Sequence, residues 1–159
     1  MEFDDYVRAR YVELRRLAFL LSGDWAAADD AVQTARIRCE KRWEVIGGAQ
    51  QHAYVRQAVV NTTSTWRSRR RVHAPLSALA EVATSDDDSD SRLAILSAVR
   101  RLPLGQRSVL VLRYYEGLTE AEIASLLGVS AGTVKSRAAR ALATLRESDL
   151  ARTLAEDRA

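Results

Sequence analysis

The stretch LTEAEIASLLGVSAGTVKSRAARALATLRE, Leu118–Glu147, carries the strongest structural signal in the sequence. Thr119 and Glu122 have the spacing of a capping box, which predicts the start of a helix. Gly128 predicts the end of that helix, and Ser130 can cap a second, longer helix. Two helices joined by a short turn that contains glycine form the helix-turn-helix pattern.

The second helix of this pattern separates apolar from polar side chains. Its apolar period predicts an inward set of Val134, Ala138, Ala141, Leu142 and Leu145. The short polar and basic residues predicted to face outward are Thr133, Ser136, Arg137 and Arg140. Small residues would let the backbone approach DNA, and arginine can bind guanine O6 and N7 with a fork of two hydrogen bonds. The alternative is a solvated surface helix in an ordinary bundle.

The rest of the chain is also predicted to be helical. Apolar positions recur at three and four residues, and the chain of 159 residues has only 7 Gly and 2 Pro. Before Leu118, two helices are predicted at about 91–102 and 105–115, which end before Pro103 and at Gly117. We therefore expect a second domain over residues 92–150.

Three helices are predicted in the N-terminal part. Gly23 ends the first, Asp24 caps the second, and Gly47-Gly48 separates the second from a third that extends from about 50 to 71. The third helix ends in the basic run RSRRR, Arg67–Arg71. These helices predict a compact domain over residues 1–71.

Residues 72–91, VHAPLSALAEVATSDDDSDS, have the composition of a flexible linker. They carry five acidic residues and no Lys or Arg, whereas residues 1–71 and 92–150 each carry four more basic than acidic residues. The sequence thus predicts two small helical domains joined by an acidic linker. Two basic blocks suit two contacts with a polyanion, although each block alone is equally typical of a solvated face.

Two further features of the N-terminal domain are candidate partner surfaces. The basic residues of the third helix, Arg56 and Arg67–Arg71, lie beside the aromatic residues Tyr54 and Trp66 in the chain. An aromatic face can stack on an unpaired base, although Trp66 also falls on the apolar stripe. A polar stripe on the second helix consists of Asp29, Gln33, Arg36 and Glu40. Periodicity alone does not distinguish such a stripe from a solvated surface.

Several classes of protein are disfavoured. Cys39 is the only cysteine and belongs to an apolar stripe, so we expect no disulfide and no zinc cluster, and we predict no cofactor. The longest apolar run, Leu17–Leu21, is too short for a membrane span, and the acidic N-terminus differs from a signal peptide. We expect a cytoplasmic protein with neither membrane contact nor small-molecule substrate.

Taken together, the segments resemble the extracytoplasmic-function subfamily of the sigma-70 family, in its actinobacterial form. GDWAAADDAVQTARIRCEKRW and AYVRQAVVNTTSTWRSRRR resemble region 2 of these sigma factors. LPLGQRSVLVLRYYEGLTEAEIASLLGVSAGTVKSRAARALATLR resembles region 4. The resemblance implies a subunit that binds core RNA polymerase and promoter DNA, with an anti-sigma factor as a further partner.

The resemblance also implies roles for residues. The polymerase-binding positions would be Asp29, Asp30, Gln33 and Arg36. The loop 46–52, with Asn61 behind it, would hold a flipped base of the −10 element, and DNA nearby would contact Arg67, Arg69, Arg70 and Arg71. The −35 element would be read by Thr133, Lys135, Ser136, Arg137 and Arg140.

Three alternatives remain open at the level of sequence. A stand-alone helix-turn-helix regulator would carry a sensing or dimerising N-terminal domain. An enzyme is disfavoured because the chain has no Gly-rich phosphate loop and no Cys/His nucleophile pair. A helical adaptor that binds only protein would be excluded by DNA binding of the C-terminal half.

Overall fold

A computed structural model describes residues 1–69 and 89–147, and the side chains of residues 1–64 and 93–147. The described residues are helical, with turns between the helices and no strand, which confirms the predicted all-α class. The chain divides into two compact units, Met1–Ala74 and Pro75–Ala159. Most of the predicted linker 72–91 lies outside the described residues.

The first unit is a bundle of three helices: α1 (Phe3–Ser22), α2 (Trp25–Glu40) and α3 (Gly48–Arg69). Gly23 ends α1 in the left-handed conformation, with φ of 77°, and its N–H donates to the carbonyl oxygen of Phe19 at 2.7 Å. The Asp24 carboxylate then accepts from the N–H groups of Ala26 and Ala27, at 3.3 and 3.2 Å. Both predicted helix boundaries are confirmed.

The apolar spacing of the second helix predicts a buried stripe of Trp25, Ala28, Val32, Ala35, Cys39 and Trp43. All six residues are buried except Trp25, which is half-buried. The apolar spacing of the first helix predicts a buried stripe of Phe3, Val7, Tyr11, Leu14, Ala18 and Leu21. Four of these six residues are buried, Val7 and Tyr11 are half-buried, and Tyr6, Leu17 and Phe19 are buried in addition. The buried set is wider than one apolar stripe because α1 packs against both other helices.

Trp43 anchors the turn between α2 and α3. Its indole Nε1–H donates to the carbonyl oxygen of Met1 at 3.1 Å, and its ring lies edge-on to Phe3, with centroids 5.1 Å apart. Gln51 donates to the Trp43 carbonyl oxygen at 3.0 Å. Because α3 begins at Gly48, the predicted loop 46–52 is mostly helical, and the irregular segment is 41–47.

The second unit contains α4 (Ser89–Arg101), α5 (Leu104–Leu110), α6 (Glu120–Leu127) and α7 (Ala131–Glu147). The predicted helix at 105–115 is only partly α-helical, because Val111–Tyr115 forms a single π-helical segment, here termed the π-turn. Gly117 follows it with φ of 69°, a conformation that favours glycine. Helix α4 begins two residues before the position predicted from sequence.

One apolar cluster joins α4, α5 and α7 in the second unit. Its buried members are Leu102, Leu110, Ala141 and Leu145, with Ala98, Val99 and Leu142 packed against them. Val134 and Ala138 of α7 are also buried, so the predicted inward face is confirmed, although Leu142 is only half-buried.

Candidate functional site

Side-chain caps define the starts of both α6 and α7. Thr119 Oγ1 accepts from the Glu122 N–H at 3.2 Å and lies 3.1 Å from Glu122 Oε1. Gly128 ends α6 with φ of 67°, and Ser130 Oγ accepts from the Thr133 N–H at 3.1 Å. The predicted cap at Thr119, stop at Gly128 and cap at Ser130 are confirmed.

The exposed face of α7 combines cations with small side chains. Lys135, Ser136 and Arg140 are exposed, as are the small residues Gly132, Ala139 and Ala143. We call these six residues the α7 face. A face with little side-chain bulk allows close approach of a flat or grooved partner, and its two cations favour a polyanion.

Two residues predicted to face outward lie at the edge of this face. Thr133 is half-buried, and its hydroxyl lies 2.9 Å from that of Ser130 within the cap. Arg137 is half-buried because its side chain turns towards α5: a Cβ added at Gly105 would lie 3.1 Å from both Cζ and Nε of Arg137. The prediction that Thr133 and Arg137 face outward is therefore only partly correct, because both are half-buried.

A carboxylate links the α7 face to the π-turn. Glu120 Oε1 lies 3.0 Å from Arg113 Nη1, and Glu120 Oε2 lies 3.9 Å from Lys135 Nζ. Sequence reasoning missed both Glu120 and Arg113, because helical periodicity gives no information on which residues meet across a turn. The ion pairs place a negative charge beside one of the two cations of the face.

The residues of the polar stripe of α2 differ in their exposure to solvent. Gln33, Arg36 and Glu40 of the predicted stripe are exposed, whereas Asp29 is half-buried. The neighbouring Asp30 is exposed too, and Ile37, which lies beside these residues, is 60% exposed. An exposed isoleucine surrounded by polar side chains is compatible with a protein partner.

Asp29 differs from its neighbour Asp30. Its Oδ1 atom accepts from Arg15 Nε at 2.6 Å, and its Oδ2 atom lies 3.4 Å from Arg15 Nη2. The Arg15 guanidinium lies over the Trp25 ring, 4.2 Å from its centroid, and Trp25 stacks on Phe19. Asp29 thus holds α1 and α2 together, which the sequence did not indicate.

The predicted −10 surface is only partly within the described residues. Asn61 is exposed on α3, and its Oδ1 atom accepts from Gln57 at 2.9 Å. Arg67 and Arg69 belong to the last turns of α3, but their side chains, like that of Trp66, lie outside the described residues. Arg70 and Arg71 lie outside them altogether.

Comparison with known proteins finds similarity to sigma factors of RNA polymerase. Residues 92–145 match the family model for sigma-70, region 4. The RNA polymerase sigma-E factor of Streptomyces coelicolor is 41% identical over 158 residues, which cover 97% of this chain and 89% of that protein. The ECF RNA polymerase sigma factor SigM of Mycobacterium tuberculosis is 35% identical, covering 90% and 74% of the two chains.

The chain belongs to the extracytoplasmic-function sigma factors.

Solved structures of sigma factors have a fold similar to that of this chain. The sigma factor RpoE of Bartonella quintana, in complex with the anti-sigma factor NepR, matches with a TM-score of 0.67 at 24% identity over 91% of this chain and 94% of that one. SigJ of Mycobacterium tuberculosis matches with a TM-score of 0.66 at 26% identity over 89% of this chain and 52% of that one.

Metal ligands, membrane-spanning helices and reactive cysteines are further features that could form a site in a sigma factor. Within residues 1–69 and 89–147, no group of three or more His, Cys, Asp or Glu side chains is arranged to hold a metal ion. No helix in this part of the chain is long and apolar enough to cross a membrane. Burial raises the pKa of the Cys39 thiol from 9.0 to about 11, against the opposing charge of Arg38.

Proposed function

We propose that this sigma factor binds core RNA polymerase, and that it directs the enzyme to promoters through contacts with the −10 and −35 elements. It acts in the cytoplasm as a subunit without catalytic activity of its own, and an anti-sigma factor is a further partner. The observation that carries the proposal is the exposed, capped α7 face, with Lys135, Ser136 and Arg140 aligned on one side of the helix.

The α7 face is assigned to the −35 element on physical grounds. A helix enters the major groove only where its side chains leave room, and Gly132, Ser136 and Ala139 provide that room. Lys135 suits a phosphate contact, whereas Arg140 can bind a guanine with two hydrogen bonds. Arg137, whose side chain lies against Gly105 of α5, is assigned a positioning role. It contributes to DNA binding indirectly, because it helps to orient α7.

The exposed stripe of α2 is assigned to core RNA polymerase. Asp30, Gln33 and Arg36 together provide both donors and acceptors of hydrogen bonds. Ile37 provides an apolar centre for an interface. Asp29 is left out of the direct contacts, because its carboxylate is already held by Arg15 at 2.6 Å.

The −10 contact is assigned to α3 and the turn before it. Asn61 is exposed on α3, and the basic run Arg67–Arg71 follows it in the chain. The turn 41–47 carries Val45 with 87% of its surface exposed, while Trp43 anchors the same turn to α1. A turn that is anchored at one residue and exposed at its tip can contact a flipped-out base of the DNA.

The proposed domain limits remain 1–71 and 92–150, with residues 72–91 as a linker. The match of residues 92–145 to region 4 supports the second domain. Limited proteolysis should cut within 72–91 and leave two protected fragments, because exposed polar linkers are preferred cleavage sites. Resistance of the whole chain under conditions that digest an unfolded control would contradict these limits.

The decisive experiment for the proposed function uses purified core RNA polymerase and the full chain. Sequencing the transcripts that start only in the presence of the chain should give one family of promoters with shared −10 and −35 elements. Arg140→Ala should reduce initiation at these promoters, whereas Arg146→Ala, an equal charge change at the far end of α7, should have little effect. A stand-alone regulator would bind DNA without binding the core enzyme.

The polymerase contact needs its own pair of variants. The double reversal Asp30→Lys with Arg36→Glu should weaken binding to core RNA polymerase. Helicity should be kept, because both side chains are exposed and the ion pair of Arg36 with Asp4, at 3.5 Å, lies at the surface, where such pairs contribute little to stability. The control is Asp5→Lys with Arg8→Glu, which exchanges the charges of an exposed ion pair on α1. Equal core affinity of the two double variants would remove α2 from the proposed interface.

A further inference from the structure

Glu120 lies where α6 meets both the π-turn and the α7 face. It is the first residue of α6, and its carboxylate contacts Arg113 on the π-turn at 3.0 Å and Lys135 on the α7 face at 3.9 Å. The Glu120 side chain is 31% exposed, whereas that of Lys135 is 70% exposed. The carboxylate therefore lies at the edge of the face assigned to DNA.

A carboxylate at this edge opposes DNA binding in two ways. It repels phosphate directly, and it occupies two cations that would otherwise neutralise phosphate. Non-specific binding of DNA arises almost entirely from such contacts between cations and phosphate. A residue that weakens only non-specific binding therefore increases specificity. Specificity is the difference between the affinity for the correct site and the affinity for all other DNA.

We propose that Glu120 is a specificity-determining residue, whose carboxylate competes with DNA phosphate for Lys135 and Arg113. This inference rests on the proposed function of the α7 face. On non-specific DNA the two cations stay paired with Glu120, and few phosphate contacts form. On the correct −35 sequence, close docking of α7 brings a phosphate near enough to displace the carboxylate from Lys135, whose contact with it is the longer one.

The same helix provides a matched control. Glu122 also lies in the first turn of α6, where a carboxylate interacts favourably with the helix dipole, so both residues have this stabilising role. The Glu122 carboxylate accepts a hydrogen bond from Thr119, a neutral partner, within the cap. Glu120→Gln and Glu122→Gln thus each remove one negative charge from the first turn of α6. Only Glu120→Gln also breaks the ion pairs with Arg113 and Lys135.

The test measures binding of the full chain to two DNA duplexes over a range of salt concentrations. One duplex lacks a promoter, and the other carries a −35 element selected from a random library by the wild-type holoenzyme. E120Q should bind the first duplex more tightly, with a slope of log K against log salt that is steeper by about 0.9 for each phosphate newly contacted. Its preference for the selected duplex should fall several-fold, while E122Q keeps the wild-type preference.

Three outcomes would overturn the proposal for Glu120. The two variants could behave alike, E120Q could tighten binding to both duplexes by the same factor, or E120Q could weaken both. In the K135A background, moreover, the effect of E120Q should be smaller, and an undiminished effect would exclude competition for Lys135. If the wild-type chain itself does not distinguish the duplexes, the proposed function of the α7 face fails first, which is a separate result.

Discussion

The guanidinium of Arg137 lies against Gly105 of α5, where an added Cβ would stand 3.1 Å from both Cζ and Nε. A side chain at Gly105 would therefore require Arg137 to move by a few tenths of an ångström. The contact joins α7 to the first turn of α5. Arg137 therefore supports the orientation of the helix assigned to DNA, while Arg140, one turn further on, is exposed.

Arg137→Ala should lower the free energy of unfolding by about 1 kcal/mol, because a half-buried side chain and its packing on α5 are lost. Arg140→Ala should change it by less than about 0.5 kcal/mol, as expected for an exposed residue. Denaturant titration of the two variants checks both values. Equal stabilities would mean that the contact with Gly105 contributes nothing to folding.

Gly105→Ala should reveal the same contact through a double-mutant cycle. Alanine is favoured over glycine in a helix by up to about 1 kcal/mol, but here the added Cβ would press on Arg137. The substitution should therefore stabilise the protein more in the Arg137→Ala background than in the wild type, by about 0.5 kcal/mol or more. Additive effects on the free energy of unfolding would argue against a direct contact.

Asp29→Asn should destabilise the first unit, and Asp30→Asn should not. The Arg15–Asp29 ion pair is partly exposed, so we expect a loss of only about 0.5–1 kcal/mol in the free energy of unfolding. Thermal unfolding at low and at high salt provides the measurement, since screening should reduce the difference between the two variants. A larger effect of Asp30→Asn on stability would reverse the assignment of these residues.

Cys39 should resist alkylation in the folded protein. Its side chain is fully buried, and burial raises the pKa of the thiol to about 11, so almost no thiolate is present at pH 8. Because the raised pKa favours the neutral thiol, its contribution to stability is complete below pH 9 and is lost as the pH rises through 11. Iodoacetamide should modify Cys39 at pH 8 only after denaturant is added; equal rates with and without denaturant would refute this.

The sequence alone predicted the helix boundaries that depend on local contacts. Asp24, Thr119 and Ser130 were identified as caps because each cap joins residues only two or three positions apart. Gly23 and Gly128 were identified as stops because a left-handed backbone favours glycine wherever it occurs in a fold. The apolar periods likewise predicted the buried faces of α2 and α7.

The π-turn and the side-chain contacts between helices were not predictable from local patterns. The π-turn interrupts a continuous apolar pattern, and no residue type within Val111–Tyr115 marks the change. Arg137 was predicted to face outward because periodicity gives only the direction of its Cα–Cβ bond, and a long side chain can turn from that direction towards a neighbour.

What the sequence determined, then, is the all-α class, the order of the helices and most of their ends, all of which follow from interactions within a few residues. The tertiary structure decided which charges are available for partners. Arg15 holds Asp29, and Glu120 holds Lys135, because helices that are separate in the chain pack side by side. Such pairs depend on the distance between two elements in space, and a pattern along one helix contains no measure of that distance.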